Sequence, residues 1–208
     1  MPWATFLLTL VSGYVAIKLF VLTNKRGRLK FLGLTIALVI VTVMELSVFI
    51  SLMTQDPNFT AAANFIVEWG HIICLAFILS SLAIFIRESK PVFAQFPMLY
   101  TALPLLIVIS YVLVQDTYAL KTWLLSIYQG GAITVSLLMY SVYTYRRNEY
   151  AVVLSGVIVF LLSFILFWYV PGVQESYAWI WKILVGIGML LTIFGYEHTE
   201  EMMPAETI

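Results

Sequence analysis

Seven stretches of this chain are long and apolar enough to cross a bilayer, and very little lies between them. About twenty apolar residues span the hydrocarbon core as a helix. Runs of that order occur at Trp3 to Leu22, Phe31 to Met53, Asn64 to Ile86, Met98 to Val114, Thr122 to Tyr143, Ala151 to Val170 and Ala178 to Tyr196. The expected fold is therefore all-α, a polytopic seven-transmembrane helix bundle over residues 1–197 with a short acidic cytoplasmic tail over 198–208. A composition that is 62% hydrophobic and only 11% charged excludes an ordinary soluble domain. The fourth run is the least regular, because Pro97 and Pro104 limit hydrogen bonding near its start.

The amino terminus lacks the basic region and small-residue cleavage site of a signal peptide, so the first run is read as a retained span. The connections "TNKRGRLK", "TQDPNFTAAA", "RESKPVFAQFP", "QDTYALK", "TYRRNEY" and "PGVQESY" are too short to fold as domains. Binding or chemistry must then reside within the bundle, at its mouths, or on a partner other than the lipid bilayer itself.

Basic residues set the orientation. Lys25, Arg26, Arg28 and Lys30 occupy the first connection, Arg87 and Lys90 the third, and Arg146 and Arg147 the fifth, whereas the even connections hold only Lys121. The amino terminus is expected outside and the carboxyl terminus in the cytoplasm. Eleven basic residues balance eleven acidic ones, so bulk charge offers no basis for a nucleic-acid partner. A single cysteine, Cys74, excludes an intrachain disulfide and a multi-cysteine metal site.

Against this background the ionisable groups inside the runs stand out. From run ends and a rise of about 1.5 Å per residue, Glu68 and Lys182 are expected about 6 Å, His71 about 10 Å and Glu45 about 12 Å below the outer helix ends. Tyr128 and Gln129 fall in the same half. Glu68 and His71 are three residues apart and share a helical face. Charge in hydrocarbon costs at least a few kcal/mol, so these groups should turn inward and be paired or wet. The expectation is one polar, outward-facing cavity lined by helices two, three, five and seven, with Glu45, Glu68, His71, Tyr128, Gln129 and Lys182 as its ligand-binding residues. The competing reading is a network that only fixes helix packing, with Glu68 and Lys182 in an ordinary salt bridge.

The same residues also admit sharper chemistry. The Glu68-Trp69-Gly70-His71 spacing is that of carboxylate-bridged metal helices, which would make Glu45, Glu68 and His71 the ligands of a membrane metal-dependent oxidoreductase. A second Glu-x-x-His is missing. Lys182 in the seventh helix invites a retinal Schiff base, although it lies only about a turn from the outer edge. A histidine with an acid and an amine could serve a small proton-coupled transporter, but repeats and broken helices are not evident. Ser47, Ser51, Ser80 and Ser81 read as packing residues rather than nucleophiles. No cofactor and no catalytic residue is assigned; a homo-oligomer or a structural subunit of a membrane complex fits the composition equally.

The segments "NKRGRLK", "VMELSVFI", "FIRESK", "LYTALPLLIVISYVL" and "YTYRRNEY" together resemble the seven-transmembrane amino-terminal sensor region of bacterial histidine kinases. The resemblance implies a sensory protein of the bacterial inner membrane that detects a signal in its outer half and shifts helices to bias an output domain. That domain is missing here, so signalling would pass to a cytoplasmic partner. Arg26, Arg28, Arg146 and Arg147, with the acidic tail residues Glu197, Glu200, Glu201 and Glu206, are the expected docking groups.

Overall fold

The structure, a computed structural model, describes residues 2–26, 29–89, 97–114, 118–171 and 177–201. Its helices are α1 Pro2–Arg26, α2 Leu29–Thr54, α3 Pro57–Ser89, α4 Pro97–Leu113, α5 Tyr118–Arg146, α6 Ala151–Tyr169 and α7 Ala178–Glu201. A 3-10 turn, Asn148–Tyr150, precedes α6. Among the described residues there is no strand. Six of the helices are long and apolar enough to cross a membrane, which makes the chain an integral membrane protein. The one left out is α4, whose 17 residues extend about 26 Å against a hydrocarbon core of about 30 Å. Pro97 opens α4 instead of breaking it, as suits a first helical position that needs no N–H.

The sequence places α3 too late. Its helix begins at Pro57, not Asn64, and its 33 residues reach about 50 Å. The signals for this start are local: Asp56 Oδ1 accepts the Asn58 backbone N–H at 2.8 Å, and Pro57 follows the capping acid. The preceding helix ends on Gln55, which is held at φ 53° while its N–H reaches the Ser51 carbonyl at 3.0 Å. A left-handed residue closing a helix by such a bond is usually glycine or asparagine. The α2–α3 connection is thus two residues long, Gln55 and Asp56, and the helices form a tight antiparallel hairpin.

Contacts divide the chain into two compact units, Met1–Ala132 and Ile133–Ile208. In the first, α1 packs on α2, α2 on α3 and α3 on α4. The α1–α2 seam carries Phe6 on Phe49 at 5.2 Å and a hydrogen bond from Thr42 to Ser12 at 2.9 Å. Along α2–α3, Ser51 meets Thr60, Met44 meets Gly70 and Phe31 meets Phe85. A small core of Ile72, Ala76, Ile107 and Tyr111 joins α3 to α4, and Leu124, Leu125 and Tyr128 bring α5 against it.

In the second unit α6 and α7 pack antiparallel through glycine. A Cβ at Gly156 would lie 2.9 Å from the Gly188 carbonyl oxygen, and one at Gly195 would lie 2.7 Å from the Val153 nitrogen. Such close approach is available only without a side chain, and it lets two apolar helices gain dispersion contacts where lipid removes the usual drive to associate. Ser163 adds a hydrogen bond to the Trp181 carbonyl at 3.1 Å. The first four residues of the expected tail, 198–201, continue α7, and Thr199 is buried there with its hydroxyl on the Gly195 and Tyr196 carbonyls.

Two substitutions test these local readings. Gly156→Leu should lower stability by about 1–3 kcal/mol through overpacking, measured by unfolding in mixed micelles followed by circular dichroism. Gly131→Ala, where no described atom lies within 4 Å of the new carbon, should be neutral or stabilise by up to about 1 kcal/mol. At the hairpin, Gln55→Gly should stabilise by about 1 kcal/mol; a loss instead would mean that the left-handed turn is not where α2 ends.

Candidate functional site

The polar cluster of the first unit is built at one end of the α3–α4–α5 core. Glu68 projects from α3, Tyr111 from the last turn of α4 and Lys121 from the first turn of α5. Lys121 Nζ donates to Glu68 Oε1 at 2.7 Å, and the Tyr111 hydroxyl donates to the same oxygen at 3.0 Å. The lysine nitrogen also stands 5.0 Å from the Tyr111 ring centre, within cation–π range. Trp69 closes the other edge of that ring, T-shaped at 6.0 Å, and itself meets Phe65 at 6.3 Å. One position along α4, Ser110 shares a 2.6 Å hydrogen bond with Tyr128 of α5. Adjacent residues of α4 therefore tie it to the acid, through Tyr111, and to α5, through Ser110.

Burial grades across the cluster. Tyr111 is almost wholly buried at 2% exposure, whereas the Lys121 and Glu68 side chains are 21% and 43% exposed. The aromatic base is rigid, and the charged groups lie at its open edge. Because Tyr111 and Lys121 sit at the ends of α4 and α5, Glu68 marks where those helices stop against the longer α3. It is about 17 Å from the start of α3 at Pro57, far deeper along the helix than the placement of that start at Asn64 implies.

The expected site residues fare differently. Glu68 and Tyr128 belong to the cluster, but both find their described partners on α4 or α5, so α4 supplies the wall expected from helices two and seven. Gln129 follows Tyr128 on α5 and is half-buried. His71 is half-buried one turn along α3, and Glu45, half-buried on α2, lies level with Glu68 and His71 in the hairpin register set by Met44 and Gly70. Lys182 lies in the second unit, buried, with its nitrogen 5.3 Å from the Trp181 ring centre. The salt bridge expected between Glu68 and Lys182 is corrected: the cation on Glu68 is Lys121.

The metal alternative needs Glu45, Glu68 and His71 on one ion. Among the described residues no three His, Cys, Asp or Glu side chains gather closely enough to hold a metal ion. Glu68, the first ligand proposed from Glu-x-x-His spacing, instead faces an ammonium and a phenol. Of the expected docking groups, Arg146 and Arg147 are exposed at the end of α5, Arg26 closes α1, and Arg28 lies outside the described residues, as does Glu206.

No protein-family model, curated protein or solved structure matches this chain. The assignment of a role therefore rests on the arrangement of its own side chains.

Two groups of residues escaped the sequence reading. Lys121 counted only as a topology residue, although its position as the sole basic group in the even connections was a signal that something there holds a cation. Tyr111 gave no signal beyond being a polar-tipped aromatic in an apolar run. In the second unit Tyr140, Tyr143, Tyr150 and Tyr196 form a ring cluster, with Tyr140 hydrogen-bonded hydroxyl to hydroxyl with Tyr196. Of the aromatics near helix ends, Trp123 and Tyr169 are exposed, whereas Trp181 packs on Phe167 at 5.1 Å in the α6–α7 pair.

A double-mutant cycle on Glu68→Gln and Lys121→Met should give a coupling of under about 1 kcal/mol, the size expected of a water-facing pair. A coupling of several kcal/mol would mean that the pair is sealed from water and closed to solutes.

Proposed function

We propose that this chain is a seven-helix sensory or ligand-binding membrane protein, with α4 as the short seventh span. Its amino terminus lies outside, and it signals through a cytoplasmic partner. The observation that carries the reading is the convergence of Glu68, Tyr111 and Lys121 from three helices on one partly open point. A pair that served packing alone would do better buried, or replaced by apolar side chains. Here the rigid half of the cluster is buried and the charged half is open, the arrangement of a site that holds its geometry while a solute comes and goes.

Basic residues supply the orientation. With Lys25, Arg26, Arg28, Lys30, Arg87, Lys90, Arg146 and Arg147 held inside, the ends of α4 and α5 that carry Tyr111 and Lys121 face outward. The hairpin of α2 and α3 then projects past them, since α3 is longer than the hydrocarbon core by about 20 Å. Binding at Glu68 and Lys121 acts on the ends of α4 and α5, helices that Ser110 and Tyr128 join two turns further along α5, so a bound solute favours one position of the α4–α5 pair over another. Differential contact of this kind is what a ligand needs in order to shift a conformational equilibrium. The inner ends of the helices, with exposed Arg146 and Arg147, are where an acidic partner surface would read the shift.

Cysteine labelling tests the reading. In intact cells Lys121→Cys should react with a membrane-impermeant maleimide, with no background from Cys74, which is buried. Reaction only after the membrane is opened would invert the topology. In purified protein some small solute should raise the unfolding temperature of the wild type and fail to do so for Glu68→Gln. A chemically broad panel containing no such solute would remove the binding role.

A further inference from the structure

The charge pair at the α3–α4–α5 junction is only half used. Both described donors on Glu68 reach the same oxygen: Lys121 Nζ at 2.7 Å and the Tyr111 hydroxyl at 3.0 Å both end on Oε1. Among the described residues no donor reaches Oε2. An ammonium has three donors, and for Lys121 the described hydrogen bond is the one to Glu68. A carboxylate oxygen and ammonium N–H groups are therefore left side by side at the open edge of a buried aromatic base, on side chains that are 43% and 21% exposed.

We infer that the ligand class is a small zwitterion, an ammonium joined to a phosphate or carboxylate a few bonds away. This rests on the ligand-binding reading above and narrows it. The charges select the class. A lone cation gains at Glu68 but meets the repulsion of the Lys121 ammonium, which stands 2.7 Å from Oε1, and a lone anion meets the converse. Each pays repulsion for its attraction. A ligand carrying both signs places its ammonium on Oε2 and its anionic group on the unused Lys121 donors, and the existing Lys121–Glu68 bond need not break. Hydrogen bonds with ionised partners on both sides are among the stronger ones. Phe65, 63% exposed and one turn before Glu68 on α3, with Trp69 beside it, offers apolar cover for the carbon atoms between the two charges.

This chemistry has two sources, a free solute and the headgroup of a zwitterionic lipid. Both can reach a site lying where two helices end against a longer one.

Phosphoethanolamine is the soluble probe, with ethanolamine as its cation alone and inorganic phosphate as its anion alone. Purified full-length protein in maltoside micelles is titrated with each, and binding is read by isothermal titration calorimetry, with unfolding temperature as the second readout. Phosphoethanolamine should bind at least about tenfold more tightly than either half, the discrimination expected from one charge-assisted hydrogen bond. That preference should disappear in Glu68→Gln and in Lys121→Met and survive in Glu45→Gln. Tyr111→Phe keeps the buried ring and removes only its hydroxyl, so it should bind with altered affinity while retaining the wild-type circular dichroism. The lipid source is separated by reconstitution: phosphatidylethanolamine nanodiscs, compared with phosphatidylglycerol ones, should shift the unfolding temperature in a Glu68-dependent manner even where the soluble probe is too weak to see. Either source upholds the inference. Equal binding of ethanolamine or phosphate, or zwitterion binding indifferent to Glu68→Gln, overturns it. A Glu68-dependent solute of a different class would overturn the zwitterion and leave the binding reading intact, whereas the absence of any Glu68-dependent solute or lipid effect would remove both.

Discussion

In a bilayer two apolar helices gain almost nothing by the hydrophobic effect when they meet, because lipid tails are as apolar as their own side chains. What holds such a chain together must come from closer packing than lipid allows and from polar contacts that lipid cannot offer. Both devices are evident. Gly156, Gly188 and Gly195 let α6 and α7 approach until backbone nearly touches backbone, and Gly70 accepts Met44 in the α2–α3 hairpin. The Thr42–Ser12 and Ser163–Trp181 hydrogen bonds fix the register of two of the seams.

The same medium explains why the charged cluster sits where it does. A carboxylate, an ammonium and a phenol are tolerated at the junction because α4 and α5 end there, which leaves an edge at which Glu68 and Lys121 are partly open while Tyr111 stays packed. Three helices contribute one residue each, and Ser110, next to Tyr111, joins α4 to Tyr128 two turns further along α5 from Lys121. The apolar core of Ile72, Ala76 and Ile107 lies directly beside the cluster.

Much of the fold was legible because span length and hydropathy are properties of local sequence. The helices at α1, α2, α5, α6 and α7 fall close to the apolar runs that announce them. The errors occur where local chemistry was outweighed by hydropathy: Asp56 and Pro57 mark a helix start, yet the polar residues around Asn58 made it read as a connection. The site was half legible. Glu68 drew notice because an acid in an apolar run is costly, but its partners could not be chosen, since helices apolar on all sides carry no stripe that fixes their rotation. Lys121 was visible as a charge, but only as the lone basic residue of the even connections.

Sequence alone determined that this is a helical membrane protein, which residues are charged within its apolar runs, and that basic groups alternate between its connections; each follows from the free energy of placing a single segment or side chain in oil. Tertiary structure decided that Glu68 meets Lys121 and Tyr111, that Lys182 belongs to a different unit, and that α4 is a wall of the cluster. Those outcomes depend on helix rotation and register, which are set by packing of small residues and side-chain hydrogen bonds between segments far apart in the chain. Local hydropathy holds no record of them.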